Sequence, residues 1–378
     1  MTDPLHKQYM TLALAQAQLA RLSARPNPAV GCVLVTQGEV VGAGYTQPAG
    51  GPHAEVMAIR TAGAKAKGAT AYVTLEPCSH YGRTPPCSLA LIEAGISCVV
   101  FGCQDSNPSV AGQGLAALKA AGVSVIGPIM QAPCAHSNRG FLQRMATQKP
   151  LVINKMAMSL DGRTAMASGE SQWITGAEAR AQVHLLRAQS CAVVTGIGSV
   201  LQDNPSMDAR AEELALAGQS IETITALKQP LRVVVDSQLR IPADAKLLQQ
   251  AGHVLIATCV AQTHNHPSVI GSAAEVLVCP ADSAGQVDLE FLLQELGKRQ
   301  INQVLIEAGA TLSGAFLQQG LTDELVIFMA PKLLGSSACG LFNLPLQKMS
   351  QAYNLKIRNI TQIGQDWRID ASPDRPRS

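Results

Sequence analysis

His53-Ala54-Glu55, followed by Pro77-Cys78 and, after eight intervening residues, Cys87, constrains the fold more than any other feature of the chain. One imidazole and two thiols are ligands that suit Zn²⁺, and three protein ligands leave its fourth tetrahedral position open for water. Such an ion lowers the pKa of bound water from about 15.7 to about 7. At about 1.36 kcal/mol per unit, deprotonation becomes easier by on the order of 12 kcal/mol. Glu55, two residues from the imidazole, is placed to move protons rather than to bind metal. Any fold adopted must therefore bring 53, 78 and 87 to one point. Taken singly, a His or Cys in an apolar chain is usually a packed core residue. A closed structural site, with His80 or Cys103 as fourth ligand, is the sharper rival.

A chain of 378 residues is long for one core and predicts two domains. Hydrophobic residues make up 47% and aromatics only 3%, the balance of compact α/β proteins with small side chains at their contacts. A net charge of +2 supplies no broad basic field, so neither nucleic acid nor an anionic membrane is expected as partner. Ten cysteines are too sparse for a disulfide scaffold and suit a reducing cytoplasm. Residues 9–22 are interrupted by Gln16, Gln18 and Arg21, which predicts an amphipathic first helix rather than a membrane or signal segment. Asp3-Pro4 would cap it.

The pattern then turns to short β-rich runs at 29–35 and 40–45 around Gln37-Gly38, a predicted hairpin. Helices at 53–62, 87–93 and 115–120 alternate with strands at 71–75 and 98–102, a layered α/β domain. His53 and Cys87 would open helices and Cys78 follow a central strand, so the ligands can meet at one end of the sheet. Residues 131–149 contain Pro133 and Asn138-Arg139-Gly140 without strong periodicity, which places a boundary near 147. Beyond it, strands at 151–158, 192–196, 231–236, 254–258, 276–279, 304–307 and 325–330 alternate with helices at 177–188, 289–299 and 312–319. The tail 372–378 is expected to be mobile.

These residues carry a resemblance. The chain resembles the bifunctional deaminase-reductases of riboflavin biosynthesis, through Asn27-Pro28-Ala29-Val30-Gly31, His53-Ala54-Glu55 and the run from Thr74-Leu75-Glu76-Pro77-Cys78 to Thr84-Pro85-Pro86-Cys87. The second half matches through Lys155-Met156-Ala157-Met158-Ser159-Leu160-Asp161-Gly162, Ser171-Gln172-Trp173-Ile174-Thr175, Asp203-Asn204-Pro205 and Glu307-Ala308-Gly309. The resemblance implies a cytidine-deaminase-like three-layer α/β/α domain at 1–147 and a dihydrofolate-reductase-like α/β domain at 148–378. It implies zinc on His53, Cys78 and Cys87, with Glu55 catalytic, for hydrolytic deamination of a phosphoribosylated diaminopyrimidinone. NADPH would then reduce the ribosyl group to a ribityl chain. Asn27, His80 and Arg83 are further candidates for substrate contact.

For the second domain the resemblance assigns Ala157, Trp173, Ser199, Asp203 and Ser237 to the cofactor, with the turn Gly309-Ala310-Thr311-Leu312-Ser313-Gly314-Ala315. No Gly-x-Gly-x-x-Gly follows a strand, but this turn enters a helix, and its backbone N–H groups can receive phosphates. Ser171, Arg187, Met207, Arg210 and Glu307 would face the substrate, the two arginines taking its phosphate. Lys155 and Asp203 would position the reducible carbon, and Glu307 would hold ribose hydroxyls. Asp208 departs from the family pattern, and its carboxylate is expected to repel the substrate's charge or to compete for Arg210. A homo-oligomer is expected. Two other readings remain at this stage: a deaminase joined to a non-catalytic nucleotide-binding module, and an RNA-binding editing factor, which the lack of a basic stripe opposes.

Overall fold

The structure, a computed structural model, describes residues 3–79, 85–107, 111–261 and 274–374. It divides into two compact units, Met1–Lys149 with Thr225–Lys228, and Pro150–Ile224 with Gln229–Ser378.

In the first unit Asp3 caps α1 (Pro4–Ala20) by accepting the Leu5 N–H at 2.9 Å, with Pro4 in the first turn where no donor is needed. β1 (Gly31–Thr36) and β2 (Glu39–Tyr45) form the expected hairpin. Gln37 and Gly38 both have positive φ, the two-residue turn whose twist matches the flanking strands. α2 (Ala54–Ala62), β3 (Thr70–Leu75), α3 (Cys87–Glu93), β4 (Cys98–Cys103), α4 (Gln113–Ala120) and β5 (Ser124–Ile126) follow. The sheet order is β2-β1-β3-β4-β5, with β1 antiparallel to both neighbours and β3, β4 and β5 parallel.

Residues 131–149 are not a linker: they form α5 (Gln131–Ser137) and α6 (Arg139–Thr147). Pro133 and Gly140 fall within the first turns of these helices, where neither breaks the hydrogen-bond ladder. α1 and α5 lie against one face of the sheet and α2, α3 and α4 against the other, giving three layers. Gly44 permits the close approach of α2, since a Cβ there would stand 2.6 Å from the Ala54 carbonyl oxygen. Leu34, Val73 and Leu91 are fully buried between the layers, each contributing about 1.5–3 kcal/mol.

The second unit begins with β6 (Leu151–Ser159), β7 (Arg163–Ala165), α7 (Ala177–Gln189), β8 (Ala192–Gly196) and α8 (Ile197–Asp203). Short helices α9 (Ala211–Leu216), α10 (Ile221–Thr225) and α11 (Lys246–Gln249) flank β9 (Leu231–Val235). β10 (Val254–Thr258), β11 (Glu275–Val278), α12 (Leu289–Lys298), β12 (Gln303–Ile306), α13 (Ala310–Gln318) and β13 (Glu324–Ala330) complete the parallel part. β14 (Cys339–Gly340) pairs with β7 apart from the main sheet. β15 (Leu355–Ile363) and β16 (Asp366–Pro373) form a hairpin at its edge.

The sheet runs β11-β10-β9-β8-β12-β6-β13-β16-β15, seven parallel strands closed by that antiparallel hairpin. Its central strands are apolar on both faces. Leu151, Ile153, Val193 and Leu305 pack with α7, while Val152, Val194, Val304 and Ile306 belong to the core of α12 and α13. Burial on both sides is why these strands read as continuous apolar runs. The expectation of a mobile tail from 372 is corrected: Ser372 and Pro373 pair with Lys356 and Leu355, while 375–378 lie outside the described residues. No helix among the described residues is long and apolar enough to cross a membrane.

Candidate metal centre and a buried charge cluster

His53 is the residue before α2, Cys87 opens α3, and Cys78 follows β3, so the α2 and α3 starts converge on the chain leaving a central strand. The ligand atoms of His53, Cys78 and Cys87 all lie within 4.8 Å of one another. His53 Nδ1 is 3.2 Å from Cys87 Sγ and 3.7 Å from Cys78 Sγ. Bonds of 2.0–2.3 Å at tetrahedral angles require ligand separations of about 3.5 Å, so the donor set fits Zn²⁺ in kind and spacing. Cys103 is not part of this cluster, because its thiol donates to the Thr74 carbonyl at 3.4 Å. His80 and Arg83 lie outside the described residues.

Backbone groups prepare the sulfurs. The Cys87 N–H donates to Cys78 Sγ at 3.3 Å, and the Ser88 N–H to the Cys78 carbonyl at 3.1 Å. Hydrogen bonding from Cys87, reinforced by His53 and opposed by burial, lowers the Cys78 thiol well below its ordinary value, while Cys87 is raised by its bond to Cys78 and by burial. Glu55, only 3% exposed in the first turn of α2, is pushed up to about 7, chiefly by burial and then by the charge on Cys78. Glu76 supplies support that the motif alone does not reveal. Its carboxylate accepts the Gly112 N–H at 3.1 Å and the Asp105 N–H at 3.4 Å, tying the end of β3 to the start of α4. Gly114 lets α4 abut the strand end, since a Cβ there would meet the Pro77 oxygen at 1.8 Å. Asn27 sits in the turn after α1, its N–H donating to Ala24 O.

In the second unit, parallel pairing sets Ile306 beside Asn154, which brings Glu307 level with Lys155. Glu307 receives both arms of Arg187, Nε to Oε1 at 2.6 Å and Nη2 to Oε2 at 3.0 Å, and Lys155 Nζ approaches to 3.8 Å. Burial alone would raise the Glu307 carboxyl, but Arg187 and Lys155 outweigh it and hold it below the usual carboxylate range. Burial also lowers Lys155, with Glu307 opposing. Arg187 Nη1 donates to the Asp208 carbonyl at 3.0 Å, so this guanidinium is committed to protein partners. The Asp208 carboxylate takes the Ser206 hydroxyl at 2.5 Å rather than pairing with Arg210. Arg210 instead faces Glu213 at 3.7 Å and His184 at 2.9 Å. His184 was not singled out by sequence; its one signal is the three-residue spacing from Arg187 on α7.

The remaining candidates gather at the carboxyl ends of neighbouring parallel strands, where open α/β sheets place their ligands. Ala157 is on β6; Ser199 and Asp203 are on α8 after β8; Ser237 follows β9; the glycine-rich turn joins β12 to α13. Ser199 Oγ would lie 3.8 Å from a Cβ at Gly309, and the Leu312 side chain 3.4 Å from one at Gly196, so the β8 and β12 turns touch. Within the turn, the Ser313 hydroxyl donates back to Ala308 O, and Gly314 is buried. The Ser237 hydroxyl donates to Gln286 and receives the Val287 N–H. Met207 has positive φ and packs in the core with α7. Trp173 is 61% exposed, with Arg180 over its ring at 4.7 Å; Ser171, two residues earlier, is half-buried.

Two family models match the chain. Residues 4–103 match the cytidine and deoxycytidylate deaminase zinc-binding region, and 150–369 match the RibD C-terminal domain. The riboflavin biosynthesis protein RibD of Escherichia coli is 50% identical over 359 residues, covering 95% of this chain and 96% of that one. That of Haemophilus influenzae is 45% identical over 366 residues, covering 97% and 96%. Among solved structures, Acinetobacter baumannii RibD superposes with a TM-score of 0.90 at 44% identity, covering 98% and 99%. A Thermotoga maritima diaminohydroxyphosphoribosylaminopyrimidine deaminase / 5-amino-6-(5-phosphoribosylamino)uracil reductase does so at 0.84 and 30% identity, with the same coverage.

Proposed function

The chain belongs to the RibD family of bifunctional deaminase-reductases of riboflavin biosynthesis, and from that premise we propose that two successive reactions on one phosphorylated pyrimidine are divided between its halves. The domain at 1–147 hydrolytically deaminates 2,5-diamino-6-ribosylamino-4(3H)-pyrimidinone 5′-phosphate, matching the activity named for the Thermotoga relative. The domain at 148–378 uses NADPH to reduce the ribosyl group, giving 5-amino-6-ribitylamino-uracil 5′-phosphate.

The observation that carries the reading is the convergence of His53, Cys78 and Cys87 beside a buried Glu55. Zinc held by these three residues would supply a Lewis acid able to activate water at neutral pH. Burial favours the protonated form of the Glu55 carboxyl, so Glu55 can protonate the ring nitrogen and deliver a proton to departing ammonia. In the second domain, the first-turn N–H groups of α13 at Ala310, Thr311 and Leu312 would receive NADPH phosphates, since the Ser313 N–H already donates to Gly309 O, with Ala157, Trp173, Ser199, Asp203 and Ser237 around the cofactor. Lys155 and Glu307, 3.8 Å apart, orient the sugar hydroxyls and reducible carbon; the hydride belongs to the nicotinamide. Because Arg187 is committed to Glu307 and Asp208, the substrate's phosphate falls to Arg210.

Ten free cysteines support a cytoplasmic location. The nine-residue edge strand β15, exposed along all but its last residue and with Leu355, Ile357 and Ile360 solvated, supports a homo-oligomer. The test is incubation of the zinc-replete enzyme with the diaminopyrimidinone phosphate, following ammonia and NADPH together. Both must change; ammonia without NADPH loss leaves only the first half of the proposal standing.

A further inference from the structure

His184 is 3% exposed on α7, one turn before Arg187, and both its ring nitrogens meet Arg210. Nδ1 lies 3.2 Å from the Arg210 backbone nitrogen and Nε2 lies 2.9 Å from Nη2. A backbone N–H and a guanidinium can only donate, whereas a neutral imidazole has one acceptor nitrogen. No tautomer therefore satisfies both contacts. If Nδ1 accepts the backbone N–H, then Nε2–H confronts a guanidinium N–H; a second proton on the ring makes both contacts donor against donor. The charged groups facing the ring are Arg187 on α7, Arg210, Asp208 and Glu307 after β12. Burial, then Arg187 and Arg210, hold the imidazole down at about 4, so it is neutral at pH 7.

The backbone N–H of Arg210 is fixed by the chain, and its guanidinium is not. That side chain is 45% exposed, and its other partner, Glu213, stands at 3.7 Å, beyond hydrogen-bond length. The contact that yields is the one at Nε2.

We propose that His184 is the positioning residue for substrate phosphate: Nδ1 anchors the Arg210 backbone while Nε2–H denies the guanidinium an internal acceptor, presenting it to an external dianion. An anionic oxygen accepting from Nη2 is the acceptor that the pair lacks. The inference rests on the reading of Arg210 as the phosphate ligand.

Two mild substitutions separate the roles of the two nitrogens. The amide oxygen of Asn can stand where Nδ1 stands, so His184→Asn keeps the backbone anchor. The amide of Gln reaches the Nε2 position and can offer its oxygen inward, so His184→Gln captures the guanidinium. In full-length, zinc-replete enzyme, kcat and KM of the reductase step are measured with the phosphorylated deaminated intermediate, beside Arg210→Gln, with ammonia release as a check on active protein. His184→Gln should raise KM about tenfold, the worth of one redirected hydrogen bond, with kcat within about twofold. His184→Asn should stay within about threefold of the wild-type KM, and Arg210→Gln should raise KM by about thirtyfold or more. If Arg210→Gln raises KM but both histidine variants behave alike, the role of His184 is overturned and the phosphate reading stands. If Arg210→Gln leaves KM unchanged, the phosphate reading falls, and this inference with it.

Discussion

Glu55 and Glu307 are both buried carboxyls, one in each unit, and the fold drives them in opposite directions. Around Glu55 the neighbours are a thiolate and an imidazole, and burial pushes the acid up to about 7, where it holds and releases protons. Around Glu307 stand a bidentate arginine and a lysine, and the same burial penalty is overcome, leaving a fixed anion. Burial alone thus does not decide what a buried acid can do; the charge of its partners does. A proton shuttle needs an acid near neutrality, whereas an orienting group needs a charge that does not change.

The largest test of this contrast is Glu55→Gln. Ammonia release should fall by about 10²–10⁴, while bound zinc and NADPH oxidation with the deaminated intermediate are preserved. Full ammonia release with zinc bound would remove Glu55 from the chemistry and erase the contrast.

Stability separates the two acids next. Glu307→Gln leaves Arg187 and Lys155 as buried cations short of an anion and should destabilise the second unit by about 3 kcal/mol. Trp173 and Trp367, the chain's two tryptophans, both lie in that unit, so urea unfolding followed by tryptophan fluorescence reads it selectively. Glu55→Gln should leave that transition unmoved. Equal shifts in the two variants would mean that the ion cluster contributes nothing specific.

Acidification sharpens the second region further. His184 is neutral in the fold, so below about 6.5 the unfolded chain binds the extra proton, and stability is lost as pH falls from about 6.5 toward about 4. Between pH 7.5 and 5.0 the loss is on the order of 2 kcal/mol. His184→Asn should flatten this slope in the tryptophan-detected transition, and an unchanged slope assigns the pH dependence elsewhere. The smallest effect on either site is expected from Ile357→Lys on β15, which should lower the particle mass seen by sedimentation while leaving both specific activities within about twofold.

The two regions also differ in how far they could be read in advance. Around the metal cluster, ligand type and spacing named the residues, and a helix start fixed each of two ligands, because these are local properties of short segments. The hairpin at Gln37-Gly38 was legible for the same reason. The β15–β16 hairpin was not, since a bulge between Ile357 and Asn359 breaks the two-residue alternation into an ambiguous spacing. α5 and α6 were hidden by Pro133 and Gly140, whose positions within the first turn matter more than their presence.

By itself, the order of residues determined which donors could hold a metal and which runs would become parallel strands, since both follow from side-chain chemistry and short-range periodicity. Only the tertiary structure decided that Arg187 spends its guanidinium on Glu307, 120 positions away, that Asp208 turns to Ser206, and that His184 meets Arg210 with both nitrogens. Charge states and hydrogen-bond allegiances depend on which groups are brought together out of water, and no spacing along the chain encodes that.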